Sequence, residues 1–284
     1  CSKQPEGYNW IGYLFDFQHE YLPEFFSKEE IQIRRNTMRD ILFNCNYVFT
    51  NSKKTKKDAE KFFGKFPATI VTIPYAPCID EELFNENHDE VREKYKIKDM
   101  HFITCNQFWR HKNHDTILKA FSEYLDNNGQ ADLIFTGNTK DRKFPEHFEY
   151  LQSLIKKLNL TNKVKILGMI NKKDQLSLIR GARALIQPTL FEGGPGGGSC
   201  RDAISLDTEI FASDIEINRE INCGTVKYFD AKNSSELSKL MVHSEKLMPK
   251  KKELNQLVIE GNERRALSGK YLLEIISKAI NEKK

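Results

Sequence analysis

Residues 190–221 read LFEGGPGGGSCRDAISLDTEIFASDIEINREI. Between Gly193 and Ser199 stand five glycines and one proline in seven positions. The run follows RALIQPT (183–189), short and apolar, which reads as a central parallel strand, and it precedes the helical pattern SCRDAISL (199–206). A flexible connection would explain such glycines. So would a loop whose bare backbone approaches an anion: glycine permits positive φ and close contact, and a following helix N-terminus offers unpaired N–H groups. The run lacks the GK[ST] ending of a Walker A loop and does not follow the first strand of a sheet as GxGxxG. By itself it leaves both readings open.

Working outward, strands and helices alternate. A strand over Trp10–Phe15 leads into a loop with a short turn (16–26) containing Pro23, then a helix over Ser27–Asn44 opened by a Ser27–Glu30 capping box. A strand follows over Tyr47–Thr50, a helix capped by Asn51 or Ser52 runs through Phe63, and ATIVTIPY (68–75) forms a further strand. Pro74 and Pro77 in PYAPCIDEELF (74–84) suggest a linker between domains. Strands at 101–106, 131–137, 163–168, 183–189, 209–213 and 227–230 then alternate with helices at 89–95, 114–125, 145–158, 172–182, 199–206 and a short one near Ile217. Two helices end the chain, Ser234–Ser244 and about Lys250 onward. This rhythm predicts an α/β fold of doubly wound parallel sheets.

The 284 residues suffice for one large or two medium domains, and 39% hydrophobic with 30% charged residues is globular composition. A net charge of +4, with pI near 8.6 and scattered lysines, gives no indication of nucleic acid as a partner. Cysteines at 1, 45, 78, 105, 200 and 223 share no metal-type spacing and read as reduced, cytoplasmic thiols. No apolar run reaches the roughly 18 residues that span a bilayer, and no signal peptide is visible. The chain begins at Cys1, close to its first strand, with fewer strands in residues 1–75 than a full Rossmann half holds; the expectation is a first domain without its beginning.

Carboxylates bracket the glycines, Glu192 before them and Asp202 ten positions on. Acids repel a diphosphate but suit hydroxyls, a ribose diol or a sugar ring. The blander alternatives are an exposed loop acid for Glu192 and a charge matched to the helix dipole for Asp202. A second cluster, NQFWRHKNH (106–114), sits after another strand and offers Arg110, Lys112, His111 and His114. Its cations can neutralise phosphate. The two histidines read as structural, and no metal site is expected.

Taken together these segments resemble the C-terminal donor domain of retaining GT-B glycosyltransferases of family 4 (glycosyl transferases group 1). The resemblance is carried by Asn106 and Gln107 with Lys112 and Asn113, LIFTG (133–137), VKILG (164–168), ALIQPTLFEGG (184–194), Asp202–Ala203, Glu220–Ile221 and YFD (228–230). DFQHEYLPEFF (16–26) and VFTNSKKTKKDAEKFFG (48–64) look like the end of the acceptor domain. It implies two Rossmann-like domains facing a cleft, the first incomplete: residues 1–75 a partial acceptor domain, 76–249 the donor domain and 250–284 a helix crossing back.

The implied reaction moves a sugar from a nucleotide-diphosphate sugar to an acceptor hydroxyl, with retention of configuration and no metal or other cofactor. Lys112 would grip the diphosphate, with Arg110 nearby and Gln107 where many relatives carry arginine. The backbone of Gly193, Gly194, Gly196, Gly197, Gly198 and Ser199 would meet the diphosphate and donor sugar. Glu192 would hold a sugar hydroxyl and Asp202, in place of a second glutamate, the ribose. Gly137 belongs to the donor side, and the base would lie near Gly168, Met169 and Ile170. Phe15 occupies the position of an acceptor-side histidine in many relatives, which leaves His19, four residues on, as the catalytic candidate there. The implied partners are a nucleotide-sugar donor and a saccharide or lipid-linked saccharide acceptor in polysaccharide biosynthesis. The lysines of 52–65 give a surface for peripheral contact at the inner face of a membrane, or simply a solvated helix face. Alternative readings are a nucleotide-sugar epimerase or phosphorylase on the same scaffold, and a non-catalytic sugar-nucleotide-binding module.

Overall fold

Apolar runs bounded by turn residues become parallel strands in two separate sheets. The computed structural model describes residues 10–83, 88–247 and 251–281; the chain start at Cys1, Lys250 and the last three residues lie outside them. The first sheet takes β1 (Ile11–Leu14), β2 (Tyr47–Thr50) and β3 (Thr69–Thr72), paired parallel in that order. Between β1 and β2 run α1 (Gln18–Tyr21), a 3-10 turn (Pro23–Phe25) and α2 (Lys28–Asn44). The segment expected as a loop with a short turn holds two turns, helical and 3-10, and Pro23 starts the second because its fixed φ suits a first helical position. Ser27 Oγ accepts from Glu30 N at 3.1 Å and Glu30 Oε2 from Ser27 N at 2.8 Å, the capping box read from the sequence. Helix α3 (Lys53–Phe63) follows β2, capped by Ser52.

The second sheet holds β4 (His101–Cys105), β5 (Asp132–Thr136), β6 (Val164–Gly168), β7 (Ala184–Gln187), β8 (Ile210–Ser213) and β9 (Val226–Phe229). All pair parallel, in the spatial order β6-β5-β4-β7-β8-β9. Alternate residues face opposite layers. Phe102, Phe135, Ile186 and Phe211 pack with α5 (His114–Asp126), α6 (His147–Lys157) and α9 (Ser234–Glu245). Ile103, Ile134, Leu185 and Ile210 pack with α4 (His88–Tyr95), α7 (Lys172–Gly181) and α8 (Gly197–Ser205). Burial on both faces explains why these strands read as continuous apolar runs.

The chain leaves β4 toward β5 and β6, then returns to lay β7 on the other side of β4. The carboxyl ends of β4 and β7 therefore diverge into loops with a crevice between them, the place where open α/β sheets hold ligands. Helix α10 (Leu254–Asn281) ends against the first sheet, where Ile275 and Ala279 pack with Tyr47 and Val71. The halves also meet through Glu220, whose carboxylate accepts from the N–H groups of Lys53 (2.8 Å) and Lys54 (2.7 Å) at the start of α3. A carboxylate there complements the helix dipole. No described helix is long and apolar enough to cross a membrane.

Candidate functional site

The glycine run is packed rather than free. Helix α8 starts at Gly197, two residues before the sequence pattern suggests, so the last glycines form its first turn. Gly196 caps it with φ +61°. A Cβ at Gly196 would lie 2.5 Å from the Cβ of buried Cys200, so both the conformation and the space require glycine. Gly196 N donates to Asn218 Oδ1 (3.1 Å), and its carbonyl accepts from Gln187 Nε2 (2.9 Å). Gly193 and Gly194 lie against Phe15 O and Asn51 of the first half. A linker would leave these contacts unmade.

Across the crevice, the 3-10 turn Arg110–Lys112 follows β4 and places Lys112 against Glu192. Their side chains are 11% and 10% exposed and hydrogen-bonded to each other. Gln187, at the end of β7, donates to Glu192 Oε1 at 2.9 Å and accepts from Asn106 Nδ2 at 2.6 Å. This buried chain ties β4, β7 and the glycine loop into one unit. Asn106 was read from the sequence only as part of the resemblance, and Gln187 and Asn218 were not singled out there. A glutamine at the carboxyl end of a central apolar strand was the available signal, since a buried amide needs partners; Asn218 had none.

The other expected residues fall into separate places. Asp202 pairs with Lys172 at the start of α7; burial raises its pKa and Lys172 opposes the rise. Gln107 Oε1 accepts from Asn138 N at 3.0 Å, and Gly137 N donates to Gly168 O at 2.9 Å, so the ends of β4, β5 and β6 are held together. A Cβ on Gly137 would fall 2.0 Å from Asn106 O. Beyond Gly168, Met169 is exposed and Ile170 half-buried. Ser199 is buried in the first turn of α8. Arg110 points away from Lys112, its guanidinium 5.1 Å from the Phe144 ring centre.

His19 does not reach the crevice. Helix α1 turns it inward, where its ring stacks near Phe17 and meets Phe26 edge-on, and it is 1% exposed. Burial, then Arg34, lowers its pKa. Phe15, by contrast, is 66% exposed. Desolvation holds His111 and His114 neutral, each with a pKa of about 3. Among the described residues no group of three or more His, Cys, Asp or Glu side chains is placed to hold a metal ion.

Residues 87–266 match the family model "Glycosyl transferases group 1". A curated relative, the GDP-Man:Man(3)GlcNAc(2)-PP-Dol alpha-1,2-mannosyltransferase of Neurospora crassa, is 27% identical over 139 residues, 43% of this chain. That match spans 25% of the relative's length. Among solved structures, sucrose-phosphate synthase from Thermosynechococcus elongatus superposes with a TM-score of 0.70 at 15% identity, covering 95% of this chain and 69% of its own. Anabaena HepE, solved in complex with UDP and glucose, gives 0.72 at 15% identity, covering 95% and 72%. Likeness at such identity is a likeness of fold, the α/β GT-B arrangement of parallel sheets.

Proposed function

Since this chain belongs to the glycosyl transferases group 1 family, we propose that it transfers a sugar from a nucleotide-diphosphate sugar to an acceptor hydroxyl, as a retaining enzyme of family 4 that needs no metal. The observation that carries the reading is the joined unit of Lys112, Glu192, Gln187 and the glycine-capped N-terminus of α8. A cation and a helix N-terminus converge there on one crevice, where charge grows on a departing diphosphate. Glu192, already accepting from two donors, has oxygens left for a sugar hydroxyl. Asp202, paired with Lys172, suits the ribose, with the base over Gly168, Met169 and Ile170.

Retention fits a same-face attack in which the leaving phosphate takes the acceptor's proton. Glu192 is held as a partner of Lys112 rather than poised as a nucleophile. With His19 buried, no step is assigned to it. The acceptor is a saccharide or a lipid-linked saccharide, and the lysines of α3 provide a surface for peripheral membrane contact at the cytoplasmic face. The exposed Phe15 favours one rival, a module that binds the donor without turning it over.

Calorimetry with UDP, GDP and their sugars tests the proposal. Binding of one nucleotide family, weakened by Lys112→Ala and by Asp202→Ala, is the expected result. No binding by a folded chain would overturn it, and donor binding without turnover on any acceptor would leave the module.

A further inference from the structure

A second cavity, of about 540 Å³, opens between the halves on the other side of the Arg110–Lys112 turn. That volume lies within the range of roughly 300–1,000 Å³ usual for small-ligand sites. Its walls contain neither Lys112 nor Glu192 nor any glycine of the loop. Four aromatic rings line it: Phe25 and Phe26 from the first half, Trp109 and Phe144 from the second. So do four cations, Arg110, Lys140, Arg142 and Lys143.

The charge balance is uneven. Asp141 is the acid in the wall, and its oxygens already accept from the backbone N–H groups of Lys143 (2.9 Å), Phe144 (3.3 Å) and Arg110 (3.3 Å). Lys143 is fixed across the cleft, donating to Phe25 O (2.6 Å) and pairing with Glu30 (3.1 Å) over the Phe26 ring. Arg110, Lys140 and Arg142 have no ion-pair partner among the described residues. Three unpaired cations around apolar ring faces select a molecule with both an anionic group and a flat C–H surface.

We propose that this cavity binds an anionic saccharide, one carrying a phosphate or carboxylate, as the acceptor end of the reaction. The inference rests on the transferase reading for the word acceptor; the site itself rests on the cavity. Arg110 and Gln107, both expected on the donor side, instead line this cavity. The donor's diphosphate is held by Lys112 and α8, so an anion in this cavity is a separate recognition element. Its walls come from both halves, so the ligand would bridge them.

Trp109, 43% exposed in the wall, is a built-in reporter. The full chain would be titrated with glucose 6-phosphate, glucuronate, glucose and inorganic phosphate while tryptophan fluorescence is followed. The expected result is a saturable change with at least one anionic sugar, at least tenfold tighter than glucose or phosphate, and absent in Trp109→Phe. Affinity should fall at least threefold in Lys140→Gln/Arg142→Gln, whose exposed side chains leave the fold intact, and fall again as salt rises. The proposal is overturned if neither sugar anion binds, or if glucose or phosphate binds as tightly. It is also overturned if the double variant weakens UDP or GDP as much as the sugar anion, which would assign the cavity to the donor. Sugar-anion binding without any nucleotide binding would keep the cavity as a site and sink the transferase reading instead.

Discussion

Replacing Glu192 by glutamine should tighten the grip on a free nucleoside diphosphate while lowering turnover. Lys112 faces Glu192 at side-chain exposures of 11% and 10%, so the carboxylate competes with any diphosphate for the same ammonium. At a separation of about 5 Å and an effective dielectric near 20, one unit charge changes the energy of another by about 3 kcal/mol. Solvent in an open crevice screens part of this, leaving ~1.5 kcal/mol, on the order of tenfold in Kd. Lys112→Met should act oppositely, removing the phosphate partner and weakening binding by roughly a hundredfold. Both substitutions break a nearly buried pair. Lys112→Met should destabilise the chain by about 3 kcal/mol, and Glu192→Gln by less, because its amide oxygen still accepts from Lys112 and Gln187. The assay is calorimetry of UDP and GDP on the three proteins, with urea denaturation alongside. If Glu192→Gln weakens the nucleotide as much as Lys112→Met does, the pair is a rigid strut and the phosphate role is refuted.

Three further outcomes follow from the same geometry. His114 is fully buried with a pKa of about 3, and neither ring nitrogen has a hydrogen-bond partner among the described residues. Its folded pKa lies below its unfolded one near 6.5, so stability is complete above pH 6.5 and is lost as pH falls toward 3. By pH 5 this histidine's share of the loss should be about 2 kcal/mol, the amount by which the pH dependence of the unfolding free energy should shrink in His114→Phe, the share of His111 remaining. Gly196→Ala combines a left-handed φ with a contact on Cys200, and urea denaturation should show a cost of about 2–4 kcal/mol together with lost nucleotide binding. Glu220→Ala uncaps α3 across the two halves; amide exchange at Lys53 and Lys54 should speed by roughly fivefold, with little change in global stability.

Much of the scaffold was legible because it is written locally. Ser27 and Glu30 announce a helix start within four residues, and the apolar runs of β4, β5 and β7 show their burial on both faces. The position of the glycine run after β7 was enough to place the loop at a strand end and before a helix. The inward turn of His19 was not legible, because it depends on a two-turn segment whose aromatic neighbours decide which way it faces. Nor were the pairings of Lys112 with Glu192, 80 residues apart, and of Lys172 with Asp202, 30 apart. Periodicity reports which face a residue takes, and the partner it meets there is set by strand order, which places β7 beside β4 only after the chain has built β5 and β6.

Strand order also decides which part of the loop can face an anion. The N–H of Gly196 is taken by Asn218, and that of Gly197 by Gly194 O at 3.3 Å. The first turn of a helix has no intrahelical acceptors for its N–H groups, so those of Gly198 and Ser199 remain for a ligand. Of these Gly198 is the exposed one, with no atom within 4 Å of an added Cβ. Proline is tolerated in a first helical turn and removes a single donor. Gly198→Pro should therefore leave the urea midpoint nearly unchanged and weaken UDP or GDP by about tenfold, the worth of one hydrogen bond to a charged group. Unchanged affinity in a folded Gly198→Pro chain would move the diphosphate off the helix N-terminus and leave Lys112 as its holder.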